Sequence, residues 1–219
     1  MIPALDAADT LPVTLAALAG ADIVREVIVA DGGSRDATPG VARAGGATVV
    51  ASPPGRGTQL IAGAAAAAAE WLLFLHADCR LDTGWESAVR GFIAAPGAGP
   101  HAGYFAFALD DPAPPARRLE RLVAWRCRLF ALPYGDQGVL IARALYDSIG
   151  GYAAIPLMED VDLVRRLGRR RLRPIDARAV SSARRYRNGG YIRRPLRNLL
   201  CLSLYFAGIA PARIARLYR

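Results

Sequence analysis

The chain has 219 residues, of which 53% are hydrophobic and 8% aromatic, so it can bury a sizeable core and is predicted to be one domain with an appendage. It contains neither the run of about 18 apolar residues that a spanning helix needs nor a basic-then-apolar N-terminus, so we expect a cytoplasmic protein. Three widely spaced cysteines without a CxxC pair indicate neither a disulfide framework nor a zinc site.

The net charge of +9 comes from 28 basic residues, all of them arginine, against 19 acidic residues. The arginines concentrate towards the C-terminus: 16 lie between Leu163 and Arg219, where Asp176 is the single acidic residue. This asymmetry indicates an anionic partner, which could be a phosphate-bearing ligand, nucleic acid or an acidic membrane surface. Composition does not choose among the three.

In the first two thirds of the chain, short apolar runs alternate with helical segments. A short strand at the N-terminus is followed by a helix that is expected to begin near Asp9 or Thr10. Further strands are predicted within residues 26–30, 47–52, 70–78 and 103–110, and helices at 36–46 and 59–71. Strands separated by helices predict a parallel sheet with crossover connections.

The second half begins with a proline-rich turn at residues 112–115. We predict an amphipathic helix at 116–132, a loop and strand at 135–143, a helix and turn at 144–152, a helix at 158–170, an extended segment at 173–186 and a helix from about Pro195. The chain is therefore divided into a domain of residues 1–190 and a basic helical segment of residues 191–219.

Polar residues lie next to three of the predicted strands: two groups end a strand and the third group precedes one. These groups are Asp31-Gly32, His76-Ala77-Asp78 and Gly135-Asp136-Gln137. A single aspartate at a strand end is usually a turn residue or a helix cap. In an open parallel sheet, however, ligands bind beyond the carboxyl ends of the strands, so the convergence of several such groups predicts a binding site.

Asp78 offers a hard oxygen ligand, which suits Mg²⁺ or Mn²⁺ shared with a diphosphate. His76 lies on the same side of the strand and would add an imidazole, which favours Mn²⁺. The alternative for His76 is a core histidine bonded to the backbone.

The predicted helix at 158–170 has a charge pattern with two interpretations. Its first turn holds Glu159, Asp160 and Asp162, and its last turn holds Arg165 and Arg166. Acids at the start and bases at the end complement the helix dipole with no need for catalysis. One carboxylate facing a cleft could equally serve as a general base, and the spacing leaves both interpretations open.

Six segments in chain order resemble the family 2 (GT-A fold) glycosyltransferases, most closely a short bacterial branch whose metal motif reads His-Ala-Asp. They are MIPALD, VADGGSRDAT, PPGRGTQLIAGA, LLFLHADCRL, GDQGVLIAR and PLMEDVDLVRRL. The resemblance implies an α/β sandwich with a mostly parallel central sheet, flanking helices and a C-terminal helical segment. It further implies inverting transfer of a sugar from a nucleoside diphosphate sugar to an acceptor hydroxyl. The expected donor is a uridine diphosphate sugar.

The same resemblance implies a role for particular residues. Asp160 would be the catalytic base, with Glu159 as its supporting neighbour, and Asp78 with His76 would hold Mn²⁺ or Mg²⁺. Asp136, Gln137, Arg184 and Arg185 would lie on the sugar and acceptor side. The nucleotide would contact Pro3, Ala4, Asp6, Asp31, Gly32, Arg56, Ala77 and Asp78.

Two positions depart from the family pattern. Members usually have Asn-Glu or Asn-Asp after the first strand, where this chain has Asp6-Ala7, and His76 replaces the first acid of the Asp-x-Asp metal motif.

Two arginine-rich segments near the C-terminus could contact ligands. The segment SSARRYRNGG is either part of a basic surface or a mobile loop that clamps phosphates. The apolar stretch LLCLSLYFAGIA is too short to span a bilayer, so a helix packed on the domain is expected. Because arginines flank the stretch, it could instead lie on an anionic membrane surface beside a lipid-linked acceptor.

Other functions remain open at this point. A nucleotidyltransferase or sugar-nucleotide hydrolase would keep the fold, although the glycine-rich, lysine-bearing start of nucleotidyltransferases is missing. A basic binding module without turnover, or a pseudoenzyme, is the alternative outside catalysis. We expect no nucleic-acid partner, because aromatic residues do not interleave the arginines as in RNA-binding motifs.

Overall fold

The computed structural model describes residues 1–134 and 136–218, so Gly135 of the predicted Gly-Asp-Gln turn and the terminal Arg219 lie outside the described residues. The strands are β1 (Ile2–Ala4), β2 (Ile28–Asp31), β3 (Thr48–Ala51), β4 (Trp71–Phe74), β5 (Cys79–Leu81), β6 (Ala102–Leu109), β7 (Val139–Ala142) and β8 (Leu172–Ser181). The helices are α1 (Leu11–Ala16), α2 (Thr38–Ala44), α3 (Arg56–Ala66), α4 (Trp85–Ala94), α5 (Pro114–Phe130), α6 (Arg143–Ser148), α7 (Glu159–Leu167), α8 (Arg184–Gly189), α9 (Arg193–Phe206) and α10 (Pro211–Tyr218).

The strands form two sheets. The first has the order β1-β2-β3 and is entirely parallel, as predicted, with Ala4 beside Asp31 at the carboxyl end. The second has the order β4-β7-β6-β8-β5, in which only β6 and β8 are parallel. The other three pairs are antiparallel, because apolar runs reveal where strands lie but not which way they run.

Backbone hydrogen bonds join the two sheets at the edges formed by β1 and β4. The amino group of Met1 donates to the carbonyl of Leu73 at 2.9 Å, and the amide of Leu75 donates to the carbonyl of Met1 at 3.0 Å. The end of β4, where the His76 segment begins, therefore lies next to β1 and not at a remote part of the molecule.

Helix α3 begins earlier and ends earlier than the alanine-rich pattern predicted. It starts at Arg56 and stops at Ala66, within the six-alanine run. The carboxylate of Glu26 accepts hydrogen bonds from the amides of Ala68 and Ala69 at 2.7 and 3.0 Å, and this long-range contact holds the end of the run outside the helix.

Close contact fixes the start of α3 against the segment before α7. A Cβ atom on Gly57 would lie 2.3 Å from the carbonyl oxygen of Ala153 and 2.8 Å from that of Ile155. Only glycine permits this approach, which brings Arg56 close to the first turn of α7.

The segment predicted to be extended over 173–186 is a strand only as far as Ser181. Helix α8 follows, so the arginines of SSARRYRNGG lie on a short helix and not in a loop. The amide of Ala183 donates to Asp110 at 2.5 Å, and the buried ring of Tyr186 stacks on Tyr191 with centroids 5.7 Å apart. These tertiary contacts stabilise a helix that six residues could not form alone.

Helices α9 and α10 form the C-terminal segment and pack on each other, and α9 also packs on α8. Cys201 and Leu202 of α9 and Ile214 of α10 are buried. No helix among the described residues has the length and apolarity needed to cross a membrane.

Candidate active site

A cleft of about 540 Å³ lies where the ends of β4 and the loop before β7 meet α5, α7, α8 and α9. Its charged lining comprises Arg56, Asp78, Arg126, Asp136, Glu159, Asp160, Arg185 and Arg194. Apolar side chains of α5 and α9 form much of the remaining lining. The carboxylates of Asp78 and Asp160, one following β4 and one beginning α7, therefore open into a common space.

His76, Asp78 and Asp136 form a compact group in this region. One ligand atom from each lies within 4.8 Å of the others. Nδ1 of the largely buried His76 is 2.9 Å from Oδ1 of Asp136, and its Nε2 is 3.8 Å from Oδ2 of Asp160. Asp136, expected on the sugar and acceptor side, thus also belongs to the group expected to bind metal.

Neighbouring charges set the protonation of this group. Burial and the charge of Arg56 both lower the pKa of His76, but the interactions with Asp136 and Asp160 outweigh them and raise it to about 10. Burial raises the pKa of Asp136, yet the hydrogen bond and charge of His76 lower it to about 2. In the absence of a metal, the pair is an imidazolium and a carboxylate at neutral pH.

The donor set of this group suits a divalent metal. One imidazole nitrogen and two carboxylate oxygens are hard or borderline ligands, which are typical of Mn²⁺ and, for the carboxylates, of Mg²⁺. The three ligand atoms are close enough together for the group to hold a single ion. The residues present therefore fit the metal that the sequence predicted.

The first turn of α7 carries the second acidic pair. Glu159, which is 1% exposed, pairs with Arg56 through Oε1 and Nη1 at 3.2 Å. Asp160 Oδ2 lies 3.7 Å from the same Nη1. Burial and the adjacent charge of Asp160 raise the pKa of Glu159. Both acids face the cleft, while Asp162 bonds to Arg166 at 2.6 Å outside it and fits the dipole interpretation.

The residues expected around the nucleotide base lie at the carboxyl ends of β1 and β2, outside the cleft lining. Asp31 accepts hydrogen bonds from the amides of Gly33 and Ser34, both at 3.1 Å. Asp6 accepts a bond from the amide of Arg35 at 2.8 Å. Pro3 and Ala4 pair with Ala30 and Asp31 in the parallel register.

Helix α3 connects this edge to the cleft. Arg56, its first residue, reaches the acids of α7, and Gln59, one turn later, reaches the strand ends. Nε2 of Gln59 donates to the carbonyls of Ala4 and Ala30 at 2.6 and 2.9 Å. A Cβ atom on Gly32 would lie 3.0 Å from the Gln59 side chain, so the packing is tight. Sequence reasoning missed Gln59, although it lies in the quoted PPGRGTQ motif.

Gln137 has a different environment from the one expected. Its side chain is buried and does not line the cleft. Its Nε2 donates to the carbonyl of Phe105 at 3.0 Å, and its Oε1 accepts from Arg126 at 2.8 Å. A sugar contact by Gln137 stays a prediction, and it would require this network to open.

Of the three remaining predicted site residues, one lines the cleft and two do not. Arg185 of α8 lines the cleft, with Nε 4.0 Å from Oδ2 of Asp78. Arg184 lies outside the cleft lining, 3.5 Å from the exposed Asp9. Ala77 packs against the core between His76 and Asp78 and is not part of the cleft lining.

No sequence pattern identified Arg126 and Tyr134 as residues of the site. The guanidinium of Arg126 lies 3.8 Å from the ring centroid of Tyr134, and both line the cleft. Arg126 was one arginine among many in the predicted helix at 116–132, and only the fold distinguishes it from its exposed neighbours.

Comparison with known proteins gives the family. The model of glycosyl transferase family 2 matches residues 1–131. No curated protein sequence matches the chain significantly. A mycobacterial protein of known crystal structure is 26% identical, with a TM-score of 0.54, over 83% of this chain and 63% of that one. The chain therefore spans less than two thirds of that protein.

Glucosyl-3-phosphoglycerate synthase from Mycobacterium tuberculosis has a similar fold. Its structure with Mn²⁺ and uridine-diphosphate-glucose is 24% identical, with a TM-score of 0.58, over 91% of this chain and 76% of that one. Its complex with Mn²⁺, uridine diphosphate and glucosyl-3-phosphoglycerate is also 24% identical, with a TM-score of 0.57 over 91% and 77%. These likenesses confirm the GT-A fold that the resemblance implied. With more than half of its residues matched by the family model, the chain belongs to glycosyl transferase family 2.

Proposed function

We propose that the protein transfers a sugar, with inversion, from a nucleoside diphosphate sugar to an acceptor hydroxyl, assisted by Mn²⁺ or Mg²⁺. The observation that carries the proposal is the opening of Asp78 and Asp160 into one cleft, with His76 close to both carboxylates. A metal-binding acid and a candidate base are thus separated by a space that can hold the reacting groups.

The donor is assigned to the side of the cleft nearest β1 and β2. Asp31 and Asp6 order the loops at the strand ends, and Arg56 supplies a positive charge between that edge and the cleft. Synthase structures of the same fold were solved with uridine-diphosphate-glucose and Mn²⁺. This likeness supports a uridine diphosphate sugar as the donor to test first.

His76, Asp78 and Asp136 would hold the metal, whose chemistry is to neutralise the negative charge that develops on the leaving diphosphate. Arg185, 4.0 Å from Asp78, would add positive charge beside this group. Arg184 faces Asp9, so only an outer contact with the donor is assigned to it.

Asp160 is assigned as the general base that takes the proton from the attacking hydroxyl. Its location at the start of α7 presents the carboxylate to the cleft, 3.8 Å from His76 of the proposed metal group. Glu159 is assigned a positioning role, since its buried carboxylate holds Arg56. Inversion needs only one such base, which this division of roles provides.

The acceptor would enter from the apolar side of the cleft, between α5 and α9. This lining is consistent with an acceptor that carries an apolar group, including a lipid-linked one. We also propose a cytoplasmic location, at the inner face of the membrane, because all three cysteines are free, as is usual in reducing compartments.

A thermal-shift panel of nucleoside diphosphates, with and without Mn²⁺ or Mg²⁺, tests the proposal. We expect uridine diphosphate with Mn²⁺ to raise the melting temperature, because a ligand at 100 times its Kd stabilises the native state by about 2.7 kcal/mol. Absence of a shift with every nucleoside diphosphate and metal would favour a binding module or a pseudoenzyme.

A further inference from the structure

Helix α9 exposes an apolar face. Leu196, Leu199 and Leu200 follow the spacing of a single helical stripe, and each is between 56% and 59% exposed. Cys201 and Leu202, on another side of the same helix, are buried. A helix packed on a domain normally presents polar residues to water. The exposed leucines of α9 therefore form a second apolar face, which its packing on the domain does not use.

Helix α5 carries a second apolar stripe. Leu122, Trp125 and Leu129 are between 48% and 66% exposed. Leu122 of α5 and Leu199 of α9 both line the cleft that holds the acidic residues, so each stripe reaches this cleft. We name the six residues Leu122, Trp125, Leu129, Leu196, Leu199 and Leu200 the apolar rim.

Positive charge accompanies the apolar rim. Arg118, Arg121 and Arg128 of α5 and Arg193 of α9 are exposed, and within the described part of the chain none of the four pairs with a carboxylate. Asp176 is the single acidic residue after Asp162, so the C-terminal helices offer no compensating charge. Large apolar side chains beside unpaired arginines match the chemistry of an anionic lipid surface.

Other partners suit this surface less well. A second copy docked through the same face would place unpaired arginines against unpaired arginines. Nucleic acid would satisfy the arginines but offers no apolar environment for six large side chains. An anionic bilayer satisfies both, since its headgroups pair with the arginines and its acyl chains cover the leucines.

We propose that the apolar rim docks on an anionic phospholipid bilayer, so that the cleft opens towards an acceptor whose apolar chain stays in the membrane. This inference rests on the proposed glycosyl transfer for the acceptor, while the docking itself concerns residues outside the catalytic group. Trp125 and Leu200 are part of the rim but do not line the cleft, which lets docking be tested separately.

The test uses the full chain in flotation assays with vesicles of phosphatidylcholine alone and of phosphatidylcholine with phosphatidylglycerol. We expect binding to the anionic vesicles, weakening as salt is added, and a blue shift of the emission of Trp125. Leu200→Glu should weaken binding about tenfold or more, because a charge would replace an exposed leucine that is proposed to enter the bilayer. Val13→Glu is the matched control, since Val13 is 55% exposed on α1 and should bind vesicles like the wild type.

Each variant is also tested for binding of uridine diphosphate with Mn²⁺, which Leu200→Glu should leave unchanged. Failure to bind anionic vesicles by protein that still binds the nucleotide would overturn docking and leave the proposed function intact. Dimerisation that Leu200→Glu abolishes, without vesicle binding, would likewise overturn it and assign the rim to contact between copies. If the wild type binds anionic vesicles but not uridine diphosphate with Mn²⁺, the proposed function is contradicted and the docking is not.

Discussion

Nε2 of His76 lies 3.8 Å from Oδ2 of Asp160. This contact joins the segment after β4 to the first turn of α7, so it links the proposed metal group to the proposed base. The imidazole that stands where the family's metal motif usually has an acid therefore contacts carboxylates of both groups, Asp136 and Asp160.

Asp78→Asn should abolish the thermal stabilisation by uridine diphosphate that depends on Mn²⁺. The amide lacks the negative charge that holds a divalent ion, so the shift expected for the wild type should fall to the value seen without metal. Asp176→Asn is the control, because Asp176 is an exposed acid of β8 outside the cleft. An undiminished metal-dependent shift in Asp78→Asn would remove this residue from the metal group.

Asp160→Asn should leave nucleotide binding intact and lower the rate of transfer by about 10²–10⁴-fold, the usual contribution of a general base. Release of uridine diphosphate from its sugar measures the rate, with water as acceptor until the natural one is known. Asp162→Asn, on the outer face of the same helix, should retain the rate. A rate unchanged by Asp160→Asn would contradict its assignment as base.

Asp136→Asn should lower the pKa of His76 well below its value of about 10 in the metal-free protein, because burial and Arg56 then act with one fewer opposing charge. The chain has two histidines, so the ring protons can be followed individually by NMR titration. A His76 pKa that stays near 10 would mean that Asp136 is not the main partner.

The raised pKa of His76 also makes the stability of the fold depend on pH. The folded value of about 10 exceeds the ordinary 6.5, so protonation of His76 stabilises the fold fully below pH 6.5. That contribution is lost as pH rises through 10. Urea unfolding from pH 6 to 10 should show a smaller pH-dependent loss of stability in Asp136→Asn than in the wild type.

Arg56→Ala should lower the free energy of unfolding by about 1–3 kcal/mol, because it leaves the buried Glu159 carboxylate beside Asp160 without its cation. Glu159→Gln in the same chain should recover part of the loss, since the neutral amide needs no counter-charge. Urea unfolding of the two single variants and the double variant gives the coupling energy. Strict additivity would show that the pair does not interact.

Gly57→Ala should destabilise the protein by about 1–3 kcal/mol, because the new Cβ would lie 2.3 Å from the carbonyl oxygen of Ala153. Gly40→Ala is the matched control: it lies in α2, its Cβ would contact nothing within 4 Å, and alanine there should stabilise by about 0.5–1 kcal/mol. Thermal melting distinguishes the two, and equal effects would show that the contact is not tight.

Local patterns in the sequence predicted the residues at the ends of β2 and β4, because an apolar run that stops at Asp31 or His76 is visible without knowledge of the fold. They did not predict that Asp136 joins His76, since this pairing spans 60 residues and depends on the direction of β7. The end of α3 was misplaced for a related reason: Glu26, distant in sequence, holds the amides of Ala68 and Ala69. Helix α8 was missed because its stability comes from Asp110 and the Tyr186–Tyr191 stack and not from its own six residues.

Because Arg56 and Gln59 lie one turn apart on α3, this helix connects the acids of α7 to the strand ends where the nucleotide is proposed to bind. Any displacement of this helix would shift the guanidinium and the carboxamide together. Variants that tilt α3 should therefore change kcat and KM in parallel, whereas variants of Asp160 should change kcat alone. A single helical turn thus separates the contact with the α7 acids from the contact with the proposed nucleotide site.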